Sequence, residues 1–146
     1  MVAEPKPEWI ERIEAEHAQL RQLLEALEAK LGADESSPVA WGASVCETLD
    51  AIIPVLERHF AREEAAIAPD AAASVFPKLA KNLGILNRHH PRLLAAFRDA
   101  AGLLGTPDLD AEKVEEVTRR VRASIEAMRD HERAEAELFD LVELPE

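Results

Sequence analysis

The chain has 146 residues, with 17 Lys and Arg against 29 Asp and Glu, giving a formal net charge of -12 at pH 7. That length suits one domain over residues 1–146 with a sizeable core. So acidic a balance argues against nucleic acid and anionic membranes as partners, since both select clustered Lys and Arg.

The residues are rich in Ala, Leu, Glu and Arg, poor in Gly and aromatics, and lack Tyr, which favours an all-α protein. The single cysteine, Cys46, excludes an internal disulfide framework and reads as a small buried hydrophobe. Met1 to Trp9 has no apolar run of the secretory kind, and no stretch reads as long enough to span a bilayer. The expectation is a cytoplasmic protein.

Four amphipathic segments follow in chain order. The first runs from about Pro7 to Leu31 and stops at Gly32, with Ile10, Ile13, His17, Leu20, Leu24, Leu27 and Leu31 on its inward stripe. The second opens at Ser37-Pro38, an N-cap followed by Pro in the first turn, and ends near Ala68-Pro69. Its stripe is Val45, Leu49, Ile52, Leu56, His59 and Glu63. After a looser stretch from Asp70 to Pro77, the third closes at Leu104-Gly105, with Leu79, Leu83, Leu86, His90, Leu93, Phe97, Ala100 and Leu104 inward. A connection from Thr106 leads to Asp110, a suitable N-cap for the fourth segment, which runs to about Leu141 before Leu144-Pro145-Glu146. Its stripe is Val114, Val117, Val121, Ser124, Met128, His131, Glu135, Leu138 and Val142.

Each stripe steps by alternating threes and fours, the seam of a left-handed four-helix bundle, and the short connections make up-down-up-down the natural topology. Pro54 and Pro91 fall inside segments, where each removes a backbone donor and should kink its helix or end a turn. Trp9 and Trp41 are expected to cap one end of the core.

Apart from Ser124, the stripes are apolar except at His17, His59, Glu63, His90, His131 and Glu135. His17 and His90, His59 and His131, and Glu63 and Glu135 are offset by about 72 or 73 residues, so the halves match under a pseudo-two-fold. With a rise of about 1.5 Å per residue, antiparallel helices bring the four histidines to nearly one level, with the glutamates a turn further along. Burying an unpaired carboxylate costs several kcal/mol, comparable with a domain's whole net stability. Direct binding of a cation removes that penalty. Six donors are too many for one tetrahedral ion, and a carboxylate-rich set with imidazole suits iron or manganese better than closed structural zinc. Two octahedral ions bridged by both glutamates would keep positions open for oxygen, nitric oxide, peroxide or water.

Glu16-His17 before the Leu20/Leu24 stripe, His59-Phe60-Ala61-Arg62-Glu63-Glu64, His90-Pro91 with Leu93 and Leu94, and His131-Glu132-Arg133-Ala134-Glu135 together resemble the hemerythrin-like (HHE cation-binding) domain over essentially the whole chain. The resemblance implies His17, His59, Glu63, His90, His131 and Glu135 as metal ligands, with Glu63 and Glu135 bridging two ions, iron first and manganese or zinc as alternatives. The oxygen-carrying hemerythrins have a second His four residues on in the third helix, where this chain has Leu94. They have Asp five residues after the fourth-helix His, where this chain has Ala136, with Glu135 standing in at i+4. The chain is thus similar to the broader HHE group, linked to iron handling and to sensing of oxygen, nitric oxide or redox state.

His89 competes with His90 for the ligand position, and the three-four spacing prefers His90. Glu64 and Glu132 read as part of a solvated face. Glu14 and Arg21 flank His17 at i-3 and i+4 and could support it, although surface pairing competes. There is no Ser-His-Asp arrangement, Gly-rich phosphate loop, CxxC pair or basic patch, so no catalytic residue or organic cofactor is assigned. The leading expectation is a di-iron protein that binds or senses a small oxidant or handles iron. A di-iron enzyme with peroxidase, catalase-like or iron-repair activity and a metal-free structural bundle stand as alternatives.

Overall fold

A computed structural model of the chain describes residues 7–33, 37–67, 77–106 and 108–142. Among these residues the regular structure is entirely helical: α1 Glu8–Leu31, α2 Pro38–Ile67, α3 Pro77–Asn87, α4 His90–Leu104 and α5 Ala111–Val142. Residues 70–76 of the expected loose connection, and the Leu144-Pro145-Glu146 terminus, lie outside the described residues.

The helix starts follow local chemistry. The Ser37 hydroxyl accepts the Ala40 N–H at 3.1 Å, and Pro38 occupies the first helical position of α2, where its missing N–H costs nothing. The Asp110 carboxylate accepts the Lys113 N–H at 2.9 Å and caps α5. Glu8 and Glu11 sit in the first turn of α1 and Lys30 in its last, each matching the helix dipole.

The two internal prolines behave differently. Pro54 is exposed and lies within an unbroken α2. Pro91 stands one residue into α4, and the third segment is divided just before it, at Arg88-His89. Pro91 has no N–H to give the Asn87 carbonyl, and its ring crowds that carbonyl. The preceding turn tightens instead, with Arg88 N–H donating to the Ile85 carbonyl at 3.3 Å and His89 N–H to the Leu86 carbonyl at 3.0 Å. This moves one expected core position: Asn87 is buried, and Leu86 is only half-buried.

Helix α2 lies at the centre of the packing and touches every other helix; α5 packs on α1, α3 and α4. By length and composition, Pro38–Ala66 could cross a membrane, which corrects the expectation that no stretch qualifies. In the bundle this helix buries one stripe, through Trp41, Val45, Leu49, Ile52, Leu56, His59 and Glu63, and 39% of its most apolar stretch is buried.

Two apolar clusters form the core. The larger takes Leu20, Leu24, Leu27 and Leu31 from α1, Trp41 to Phe60 positions from α2, Leu93 to Leu104 positions from α4, and Val117 to Met128 positions from α5. The smaller joins Ile10 and Ile13 of α1, Leu79 and Leu83 of α3 and Phe139 of α5. Trp41 belongs to the larger, where its indole N–H donates to the Leu31 carbonyl at 3.2 Å, while Trp9 packs at the smaller, edge-on to Phe139. The two tryptophans therefore serve different clusters rather than one shared end. Cys46 is half-buried against the larger cluster. The Leu138 side chain is partly buried, with Phe139 taking the fully buried place beside it.

Leu24 is fully buried within the larger cluster. Leu24→Ala should lower the unfolding free energy of the metal-free protein by about 2–5 kcal/mol, read as a reduced urea midpoint with unchanged slope.

Candidate metal centre

Between the two apolar clusters the stripes turn polar. His17 follows Ile13 and precedes Leu20; His59 and Glu63 follow Leu56; His90 lies between Leu83 and Leu93; His131 and Glu135 lie between Met128 and Phe139. All six polar side chains are buried, with Glu135 at 0% exposure.

They assemble into two groups whose donor atoms lie within 4.8 Å of one another: His17, His59 and Glu63, and Glu63, His90, His131 and Glu135. The imidazoles pair accordingly. His17 and His59 meet edge-on with centroids 4.9 Å apart, and His90 and His131 do the same at 5.1 Å. Phe60 stacks on His90 at 3.9 Å and 9°, fixing that ring's plane.

The carboxylates connect the pairs. Glu63 turns Oε1 to His59 Nε2 and Oε2 to His90 Nε2, the latter at 3.8 Å. Glu135 turns Oε1 to His131 Nε2 at 2.5 Å and Oε2 to His17 Nε2 at 3.5 Å. Each glutamate thus has one oxygen beside each pair of imidazoles.

These approaches lack hydrogen-bond alignment. Nε2 of all four histidines and both oxygens of both glutamates are buried without a hydrogen-bond partner. Buried polar atoms in a folded protein are normally partnered. Orphan nitrogen and oxygen donors gathered from four separate helices fit a cation, which would satisfy them together.

The electrostatics match. Burial and the adjacent Glu135 push the Glu63 carboxyl up to about 12. Burial also opposes ionisation of Glu135, but contacts from His131, His17 and Glu63 hold it well below the usual carboxylate range. Without an ion, the two buried carboxylates oppose each other's ionisation, and burial with Glu135 alongside favours the protonated form of Glu63. Burial and the neighbouring His131 push His90 down to about 3, and burial with His17 lowers His59. Neutral imidazole is the form that ligates a metal.

His59 has a partner that sequence reasoning missed. Its Nδ1 lies 3.1 Å from Glu16 Oε1, and the other Glu16 oxygen meets Arg62 at 2.5 Å. A proton on Nδ1, donated to Glu16, leaves Nε2 free to face Glu63. The expectation for Glu14 and Arg21 concerned His17; the contact on His59 is a separate one, made by Glu16, the residue next to His17, reaching across to α2. Glu64, exposed as expected, sets Oε1 3.5 Å from His90 Nδ1. His89 is exposed while His90 is buried.

Glu132 differs from expectation. It is 6% exposed rather than solvated, its Oε1 has no partner, and burial raises its carboxyl. The α5 helix turns it towards α1, where it lines a groove of about 470 Å³ with His17, Arg21 and Arg129. A second groove, of about 400 Å³, reaches His131 beside His89 and Leu93.

A helical bundle with paired histidines joined by two buried carboxylates defines a cation-binding class of protein. The family model for the hemerythrin HHE cation binding domain matches residues 9–142. The chain belongs to that family. Comparisons with curated proteins and with solved structures found no match.

In the metal-free protein the two shifts act in opposite directions. Glu63, raised when folded, contributes stability that is full below about pH 4.5 and is lost as pH rises towards about 12. His90, lowered when folded, contributes stability that is present above about pH 6.5 and is lost as pH falls towards about 3. Glu63→Gln should therefore raise the metal-free urea midpoint at about pH 9 relative to the parent, and flatten the alkaline decline. Equal midpoints at that pH would show that Glu63 is already ionised in the folded chain.

Proposed function

We propose that this chain is a non-haem di-iron protein that binds or senses a small oxidant, oxygen, nitric oxide or peroxide, or handles iron. The observation that carries this reading is the bridging posture of Glu63 and Glu135, each with one oxygen beside each imidazole pair. One ion would take His17 and His59, the other His90 and His131, with both glutamates shared.

Four imidazoles and two carboxylates form a mixed nitrogen–oxygen set suited to iron, with manganese next; a closed zinc site would use four donors and exclude further ligands. When bound, iron supplies redox-active Lewis-acid positions at which small oxidants coordinate. The chain's own contribution is positional. Glu16 holds the His59 tautomer, Phe60 holds the His90 plane, and the two apolar clusters above and below keep bulk water from the layer. His17 lines one of the two grooves and His131 the other.

The same reading includes one domain over the whole chain and an up-down-up-down order. Support comes from the smaller cluster, which gathers the starts of α1 and α3 and the end of α5. A cytoplasmic location remains its expectation.

Protein made in iron-supplemented cells and purified without chelator should carry about two irons per chain, with near-ultraviolet bands that shift on adding azide or nitric oxide. Absence of metal after anaerobic iron addition would sink the proposal. Glu16→Ala should weaken iron retention about 10–100-fold against a competing chelator, while Glu16→Gln, which keeps an acceptor oxygen, should lose less. Equal retention in all three proteins would mean that Glu16 does not support the site.

A further inference from the structure

Glu16 stands just before His17, and His89 stands just before His90, at the offset that relates the two halves of the chain. Glu16 reaches His59 across a groove of about 380 Å³, which it lines with Gln19, Val55, Arg58, His59 and Arg62 among others. Under the same offsets these six residues correspond to His89, Arg92, Ala127, Asp130, His131 and Ala134. All six of the counterparts line the groove of about 400 Å³ between α4 and α5. The grooves are therefore equivalent places in the two halves, and His89 stands where Glu16 stands.

The histidines at the two grooves differ in their support. His59 Nδ1 has Glu16 at 3.1 Å, whereas His131 Nδ1 is buried with no hydrogen-bond partner. A cation on Nε2 fixes the proton on Nδ1, and a ligating histidine normally donates that N–H to an acceptor. Asp130 lines the groove, but its carboxylate is held by Arg133 at 2.9 Å. His89 is exposed, and its ring centroid lies 6.4 Å from that of His131. Two imidazoles joined by an N–H···N bond of about 3 Å have centroids roughly 5 Å apart, so an inward turn of roughly 1–2 Å makes the contact.

Charge accounts for a histidine at this place rather than a second glutamate. Beside Glu16 the groove carries Arg58 and Arg62, and Arg62 binds the second Glu16 oxygen. Their counterparts are Asp130 and Ala134. An acid at position 89 would lose a guanidinium at the place of Arg62 and gain a carboxylate at the place of Arg58. A neutral imidazole supplies an acceptor without that repulsion, while its other nitrogen stays in water.

We propose that His89 is a positioning residue for His131: in the metal-loaded protein its imidazole accepts the His131 Nδ1–H, as Glu16 does for His59. The inference rests on the two-iron reading above. Each half of the centre then has one ligating histidine held by the residue that precedes the other, through an anion at His59 and through a neutral ring at His131.

The test compares parent, His89→Ala, His89→Gln and His90→Ala by iron kept against a competing chelator and by urea unfolding of the metal-free forms. His89→Ala should retain iron about 10–100-fold more weakly. Its metal-free urea midpoint should match the parent's, since the exposed ring is not part of the core. His89→Gln keeps a neutral acceptor and should recover most of the loss. Equal retention by parent and His89→Ala overturns the inference and leaves the two-iron reading standing. A loss in His89→Gln as deep as in His89→Ala also overturns it, and full retention by His90→Ala would then make His89 the ligand itself. A metal-free midpoint that falls in step with iron retention overturns it too, since the effect would be one of folding. A parent that takes up no iron overturns both readings.

Discussion

Two carboxylates buried side by side, between four imidazoles, are the constraint on which the rest of this protein depends. Glu63 and Glu135 are almost wholly shielded from water, and neither makes an aligned hydrogen bond. Left alone, the layer resists charge: burial raises the Glu63 carboxyl and lowers the His90 imidazole, so each leans towards its neutral form. That is a costly arrangement in a core that could have been leucine throughout. A cation reverses the balance, because the orphan lone pairs are then the coordinating ones.

The bundle is organised to hold this layer at a fixed height. An apolar cluster lies on each side of it, and every helix that reaches it carries the polar residues at the point where its stripe crosses from one cluster to the other. Supports come from outside the layer: Glu16, itself tied to Arg62, on His59, and Phe60 against the face of His90. Rigid packed helices and contacts of this kind hold donor atoms in place more firmly than loops do.

The pseudo-symmetry of the two halves is incomplete, and Pro91 is the reason. It divides the third segment, tightens the turn before it, and brings Asn87 inward where Leu86 would otherwise serve. No such break occurs in α1, where Ile13, the counterpart of Leu86, stays buried. A single imino acid thus leaves a buried, unpartnered amide in the third segment.

Much of this was legible in the residues themselves. The three-four stepping of apolar positions gave the helices their buried faces, because a period near 3.6 leaves no other way to cover them; every inward position expected on α1 is buried. The six polar interruptions stood out for the same reason, and the tertiary fold brings all six into two adjoining groups. Other features depended on contacts between helices, which one-dimensional spacing does not encode. Glu16 is adjacent to His17 in the chain yet serves His59 across the gap to α2. Glu132 looked solvated on its own helix and is covered by the neighbouring one. The exchange of Leu86 for Asn87 required the geometry of one tightened turn. The sequence by itself determined which faces are apolar and which six side chains interrupt them, since helical periodicity is local; only the tertiary structure decided which carboxylate supports which imidazole and what stands beside each pair, since those depend on how separate helices are rotated against one another.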